Sequence, residues 1–188
     1  MITIRTERPV DASAREALLD IAYGAQRHDK PSARLRQGRL PARGLSFVAL
    51  ERGRIIGTVR LWHIEAGRGR PALLLGPLAV HPHARKRGIG AALMRRAVEE
   101  VARSGHKAIL LAGEAPYYGR FGFSAAKTGN LRLRGACDPA RLLGCELAAG
   151  ALDGAAGVIR ATGERESVRK LADMLPRSAK PRLIPRAA

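Results

Sequence analysis

The stretch "LGPLAVHPHARKRGIGAALMRRAVEEVARSG", Leu75 to Gly105, decides how this chain folds. An apolar strand runs into Gly76-Pro77, and a proline there has no N–H to give a neighbouring strand. Such an interruption predicts a bulge that parts this strand from the next one and leaves backbone polar groups facing a cleft. An extended ligand with amides of its own could pair with those groups, as a peptide adds to a sheet edge. A harmless bulge at a sheet edge is the other reading. A cationic turn follows, with Arg85, Lys86 and Arg87 ahead of Gly88 and Gly90. Beyond it, Ile89, Leu93, Ala97 and Val101 fall at helical spacing, and Gly105 sits where a helix-ending glycine belongs.

Working outward, "ITIRT" (Ile2 to Thr6) alternates as an opening strand does. "DASAREALLDIAYG" reads as a helix, with Ser13 and Glu16 as a capping box, Leu18, Leu19, Ala22 and Tyr23 as its apolar face, and Gly24 as its stop. Residues 25–44 are polar and punctuated, a long connection with a short helix after Asp29. "LSFVAL" and "RIIGTVRLWHI" form a hairpin across "ERGR". "KAILLAG" is a strand buried on both faces, and "APYYGRFGF" a short turn or helix. Two more strands are expected around "LGCELA" and "AGVIRAT". The order describes an α/β (α+β) domain, a mixed sheet with one strand-helix-strand crossover at its centre. It spans residues 1–163. Residues 164–188 read as an appendage: a helix with Val168, Leu171 and Leu175 on one stripe, then a basic, Pro-rich tail. That helix would dock on the domain or on a neighbouring subunit, which leaves a homodimer open.

The chain of 188 residues suffices for one full core. No apolar run approaches the roughly 20 residues of a membrane span, and "MITIRTERPV" lacks the apolar core of a signal peptide, so a cytoplasmic protein without membrane contact is expected. Cys137 and Cys145 fit neither a disulfide framework nor a zinc ribbon, and no metal-ligand spacing occurs. The net charge of +18 raises the prospect of a nucleic-acid partner. It comes overwhelmingly from Arg spread along the chain, without a run of five cations, and such a field attracts any polyanion.

The glycine turn follows a strand and opens a helix, where unsatisfied N–H groups point outward and the helix dipole is positive. Gly88 and Gly90 let the main chain approach an anion closely. No Gly-Lys-Ser/Thr follows, which excludes a Walker loop, and Leu93 stands where a dinucleotide fingerprint needs its third glycine. A tight, coincidentally basic turn is the plain alternative.

The stretch resembles the acyl-CoA-binding motif of the GNAT superfamily of N-acetyltransferases, Gln/Arg-x-x-Gly-x-Gly/Ala after a strand, matched by Arg85, Gly88 and Gly90. "APYYGRFGF" resembles that family's second signature, and the fuller pattern is similar to its YhbS-like branch of bacterial acetyltransferases. The resemblance implies a mixed, mostly antiparallel sheet of about seven strands, splayed in the middle, with helices on both faces. It implies acetyl-CoA as acyl donor, its pyrophosphate on the N–H groups of Lys86, Arg87, Gly88, Ile89, Gly90 and Ala91, with Arg85 at the rim. The pantetheine arm would pair with Leu78, Ala79 and Val80. The acceptor would be an amine of a small molecule or a peptide, attacked directly in a ternary complex. An inactive module of the same fold, binding nucleic acid or ribosome through its charge, is the alternative.

Acetyl transfer to an amine needs a neutral amine, a polarised thioester carbonyl and a proton for the leaving thiolate. A backbone N–H near Leu78 to Val80 would polarise the carbonyl. By the resemblance, Tyr118 stands where the family's tyrosine hydroxyl lies near the sulfur, making it the candidate acid; Tyr117, Phe121 and Phe123 read as core. Many relatives carry Glu where this chain has Pro77, so the base must lie elsewhere. Glu114 is the leading candidate, with Glu65, His81, His63 or a water behind it. The acceptor would be contacted by residues 21–44 and by loops after Phe123.

Overall fold

The computed structural model describes residues 1–135 and 137–166. Its elements are β1 (Ile2–Thr6), α1 (Ala12–Tyr23), α2 (Pro31–Arg34), β2 (Ser46–Glu51), β3 (Arg54–Glu65), β4 (Pro71–Val80), α3 (Ile89–Arg103), β5 (Ala108–Ala112), α4 (Ala115–Tyr118), β6 (Leu131–Arg132), β7 (Leu142–Glu146), β8 (Gly157–Val158) and β9 (Arg160–Ala161). A seven-stranded sheet runs β1-β2-β3-β4-β5-β7, with β9 added to β3. Its ladders are antiparallel except β4–β5, the parallel pair that α3 crosses over to join. This is the mixed, mostly antiparallel sheet expected. No helix among the described residues is long and apolar enough to cross a membrane.

The hairpin β2–β3 turns at Arg52 and Gly53, both at positive φ, as a two-residue hairpin turn requires. At the centre, Val59 pairs with Leu78 but Leu61 pairs with Leu75, so Gly76 and Pro77 together oppose the single residue Arg60. That is the bulge the sequence predicts. It also resets the side-chain alternation, so that Leu75 and Leu78 both face α3. Beyond the bulge β4 leaves β5: their pairing is confined to Leu73 with Ile109 and Leu74 with Leu110.

One face of the sheet carries α3, whose Ile89, Leu93, Met94, Ala97 and Val101 are buried against Val59, Leu61, Leu73 and Leu75. The opposite face carries α1, with Leu18 and Leu19 on Ala79, and a second apolar cluster around Trp62, Leu74, Leu110 and Ile159. Gly57 on β3 lets α3 settle closely: a Cβ there would stand 2.9 Å from Leu93 Cδ1 and 3.1 Å from Ile89 Cγ2.

Three local expectations need correction. Ser13 and Glu16 form no capping box, because Pro9–Asp11 is already a turn of 3-10 helix and Asp11 precedes α1. The Asp11 carboxylate accepts the Arg8 N–H and pairs with Arg5, while Glu16 is drawn to Arg15 and Arg27. "AGVIRAT" gives two short strands with different partners, β8 on β6 and β9 on β3, with buried Ile159 between them. The pair β6–β8 is an addition. Finally, Glu164 to Glu166 run extended against Gly38 to Leu40, with Leu40 N–H donating to Glu164 O (2.8 Å), so the helix expected from Glu164 does not begin there. The remainder of that helix and the tail lie outside the described residues.

The Gly57 contact is measurable. Gly57→Val should lower unfolding free energy by about 1–3 kcal/mol through overpacking under α3, seen as a reduced urea midpoint at unchanged slope.

Candidate active site

Where β4 and β5 part, a cleft of about 1250 Å³ opens, with the bulge, Leu78, the end of β5 and α4 among its walls. The N–H of His81 donates to Ile56 O (2.9 Å). The alternation of an antiparallel ladder therefore turns the polar groups of Val80 and Leu78 to the opposite edge, toward the gap. The Leu78 carbonyl there accepts the Tyr23 hydroxyl, and the indole N–H of Trp62 donates to Gly76 O (2.6 Å), fixing the bulge.

The glycine turn lies next to this edge. Gly88 precedes α3 in the left-handed conformation, and Ala92 N–H makes the first helical bond, to Gly88 O (2.9 Å). Among the described residues, no N–H from Lys86 to Ala91 donates to a backbone carbonyl, which leaves a row of donors at the positive end of α3. Arg85 lines the cleft, and Lys86 is exposed. Arg87 has another task, since its guanidinium grips Glu51 at 2.6 and 3.1 Å and ties the turn to the β2–β3 hairpin.

Tyr118 and Tyr117 both line the cleft. Burial raises the Tyr118 hydroxyl well above a normal phenol, and the neighbouring Tyr23 and Tyr117 hydroxyls push in the same direction. Its ring lies on Gly113, where a Cβ would stand 2.7 Å from Cδ2, and meets Phe123 edge-on at 6.2 Å between centroids. Tyr117 does not belong to the core as expected: its hydroxyl reaches the first turn of α3, 2.8 Å from where a Cβ on Gly90 would stand. Phe123 is core, and Phe121 packs against the core from its margin.

Of the candidate bases, Glu114 lines the cleft, largely exposed and paired with Arg141 at 3.1 Å. The other three lie elsewhere. Glu65 accepts the Gly69 N–H in the β3–β4 turn, His63 stands beside His106, and His81 takes the His83 N–H at the start of a 3-10 turn. Among the described residues, no three His, Cys, Asp or Glu side chains gather as a metal would require. Residues 21–44 border the cleft through Tyr23, Arg27 and Arg36 among others, whereas among the described residues after Phe123 only Arg141 and Glu166 reach it. Tyr23 and Arg36 were not singled out by the sequence as site residues, because neither belongs to a motif.

A splayed sheet with an open strand edge, a donor row at a helix start and a tyrosine below them defines the class. Residues 42–125 match the family model of the acetyltransferase (GNAT) domain. It is 28% identical over 157 residues to the N-acetyltransferase YhbS of Escherichia coli, covering 83% of this chain and 93% of that protein. The crystal structure of YhbS in complex with CoA superposes with a TM-score of 0.72 at 28% identity, over 85% of this chain and 89% of that one. A GNAT family acetyltransferase from Brucella melitensis in complex with acetyl-CoA gives 0.57 at 27% identity, over 81% and 99%.

The Tyr118 seat can be tested apart from activity. Gly113→Ala should destabilise the fold by about 1–3 kcal/mol, and a double-mutant cycle with Tyr118→Ala should recover most of that loss. Additive effects would remove the contact.

Proposed function

We propose that the protein transfers an acetyl group from acetyl-CoA to an amine of a small molecule or peptide, directly, with both bound in the cleft. The observation that carries this reading is that two sets of backbone groups without a partner strand open side by side, the Lys86–Ala91 donor row and the edge of β4 at Leu78 N–H and Val80. Together they suit a ligand with a phosphate group at one end and amides along its arm. The CoA and acetyl-CoA complexes of the two relatives support it.

Acetyl-CoA would supply an acetyl group activated as a thioester; the chain's own residues do the rest. The N–H groups from Lys86 to Ala91, with Arg85 beside them, hold the pyrophosphate. Leu78 and Val80 pair with the pantetheine arm, and an N–H of that edge polarises the carbonyl without reorganising. Two reactants in one cleft gain rate from orientation alone. Tyr118 is the proton donor to the sulfur. Its raised pKa keeps it protonated throughout the neutral range, and the acceptor it serves grows more basic as the C–S bond breaks. Glu114, one turn before Tyr118, takes the proton from the amine, directly or through a water.

The nucleic-acid alternative gains no support from the placement of charge. Arg5, Arg15, Arg27, Arg87 and Lys127 are each paired with carboxylates of this same chain and so are not free for a polyanion.

Two measurements test the proposal. CoA should bind the wild type in calorimetry, and Gly88→Val with Gly90→Val should abolish binding; retained affinity would remove the cradle. Tyr118→Phe should lower kcat by about 10²–10⁴ with CoA affinity unchanged. Glu114→Gln should lower kcat/KM, and an unchanged value would assign proton removal to water.

A further inference from the structure

Opposite the cradle, the cleft is walled by the connection between α1 and β2, and its charge is lopsided. Arg and Lys outnumber carboxylates eight to three in the lining. Most of these cations are engaged: Arg15 and Arg27 hold Glu16, Arg60 lies by Glu7, Arg141 holds Glu114, and Arg39 donates to Gly163 O.

Arg36 is different. It follows α2 and reaches the bulge, its Nη1 3.2 Å from where a Cβ on Gly76 would stand. Among the described residues its guanidinium makes no ion pair and no hydrogen bond. The nearby acidic charge it feels, Glu16, is already bridged by Arg15 and Arg27, and Arg27 and Arg60 repel it. Burial lowers its pKa to about 10, so it is still charged at neutral pH. A half-buried guanidinium in a cleft without a counter-ion carries a desolvation cost, and a ligand that brings an anion relieves it. Gly76 lies in the bulge and Leu78 directly after it, which places Arg36 beside the open edge of β4.

We infer that the acceptor amine carries an acidic group, a carboxylate or a phosphate, which Arg36 receives beside the bulge while the amine reaches the Leu78 edge. This rests on the acetyl-transfer reading above and names its substrate class. Planar, multiply donating guanidinium suits either anion. Arg36 is thus a specificity-determining residue, and it selects against polyamines and other purely cationic acceptors.

The test uses matched amines: phosphoethanolamine against ethanolamine for the phosphate arm, β-alanine against β-alaninamide for the carboxylate arm. Each is titrated into CoA-saturated wild type, Arg36→Ala, Arg36→Lys and the exposed-surface control Arg43→Ala. Emission of Trp62, the only tryptophan and bonded to the bulge, reports binding, and thiol release from acetyl-CoA reports turnover. The anionic member of at least one pair should be favoured roughly tenfold to a hundredfold. Arg36→Ala should erase that preference, Arg36→Lys keep part of it, and Arg43→Ala keep all of it. No preference in either arm, or one that survives Arg36→Ala, overturns the inference. So does a matching loss of CoA affinity in Arg36→Ala, which would assign the side chain to the cofactor. The acetyl-transfer reading fails separately, by absence of CoA binding, and the amine titration of the free protein then still decides Arg36.

Discussion

The extra residue at Gly76-Pro77 opposite Arg60 is the constraint on which the rest of the molecule depends. A regular β4 would continue its ladder with β5 and close the sheet. With the bulge, pairing stops at Leu74 and Leu110, and the downstream half of β4 shows its polar edge to a cleft instead of a partner strand. Such an edge would be a liability on the outside of a sheet. Here α4 on one side and the Tyr23–Arg36 connection on the other leave room for a ligand rather than for another chain.

Two kinds of support hold the edge open. Hydrogen bonds from Trp62 to Gly76 O and from Tyr23 to Leu78 O satisfy carbonyls that the missing strand would have used. Glycines then set the distances: Gly57 seats α3 on β3, Gly90 leaves space for the Tyr117 hydroxyl, and Gly113 leaves space for the Tyr118 ring. The cleft is therefore built from close approaches, and its chemistry depends on backbone groups more than on side-chain charge.

That division explains what the sequence made legible. The bulge, the glycine turn and the buried stripe of α3 are local, encoded by Gly76-Pro77, by Gly88 and Gly90, and by Ile89, Leu93, Ala97 and Val101, and each was readable in place. So was "YYGRFGF", although which tyrosine serves the core was not, because the Tyr117 hydroxyl finds Gly90 only through the fold. Tyr23 acts on a carbonyl 55 residues away, and Arg36 matters because nothing among the described residues pairs with it, a property no motif expresses. The capping box failed for a related reason: the 3-10 turn at Pro9–Asp11 puts Ser13 inside the helix, and Glu16 pairs with Arg15 and Arg27 instead. The two-residue strands β8 and β9 are shorter than any periodicity can reveal.

The central claim is that the free main-chain groups of β4 and of the glycine turn form one continuous ligand surface. Amide hydrogen exchange across residues 76–91, with and without CoA, measures it directly. The N–H groups of Leu78 and Val80, and those from Lys86 to Ala91, should exchange rapidly in the free protein and become protected together when CoA is added. Amides already protected before CoA, or unaffected by it, would contradict the account.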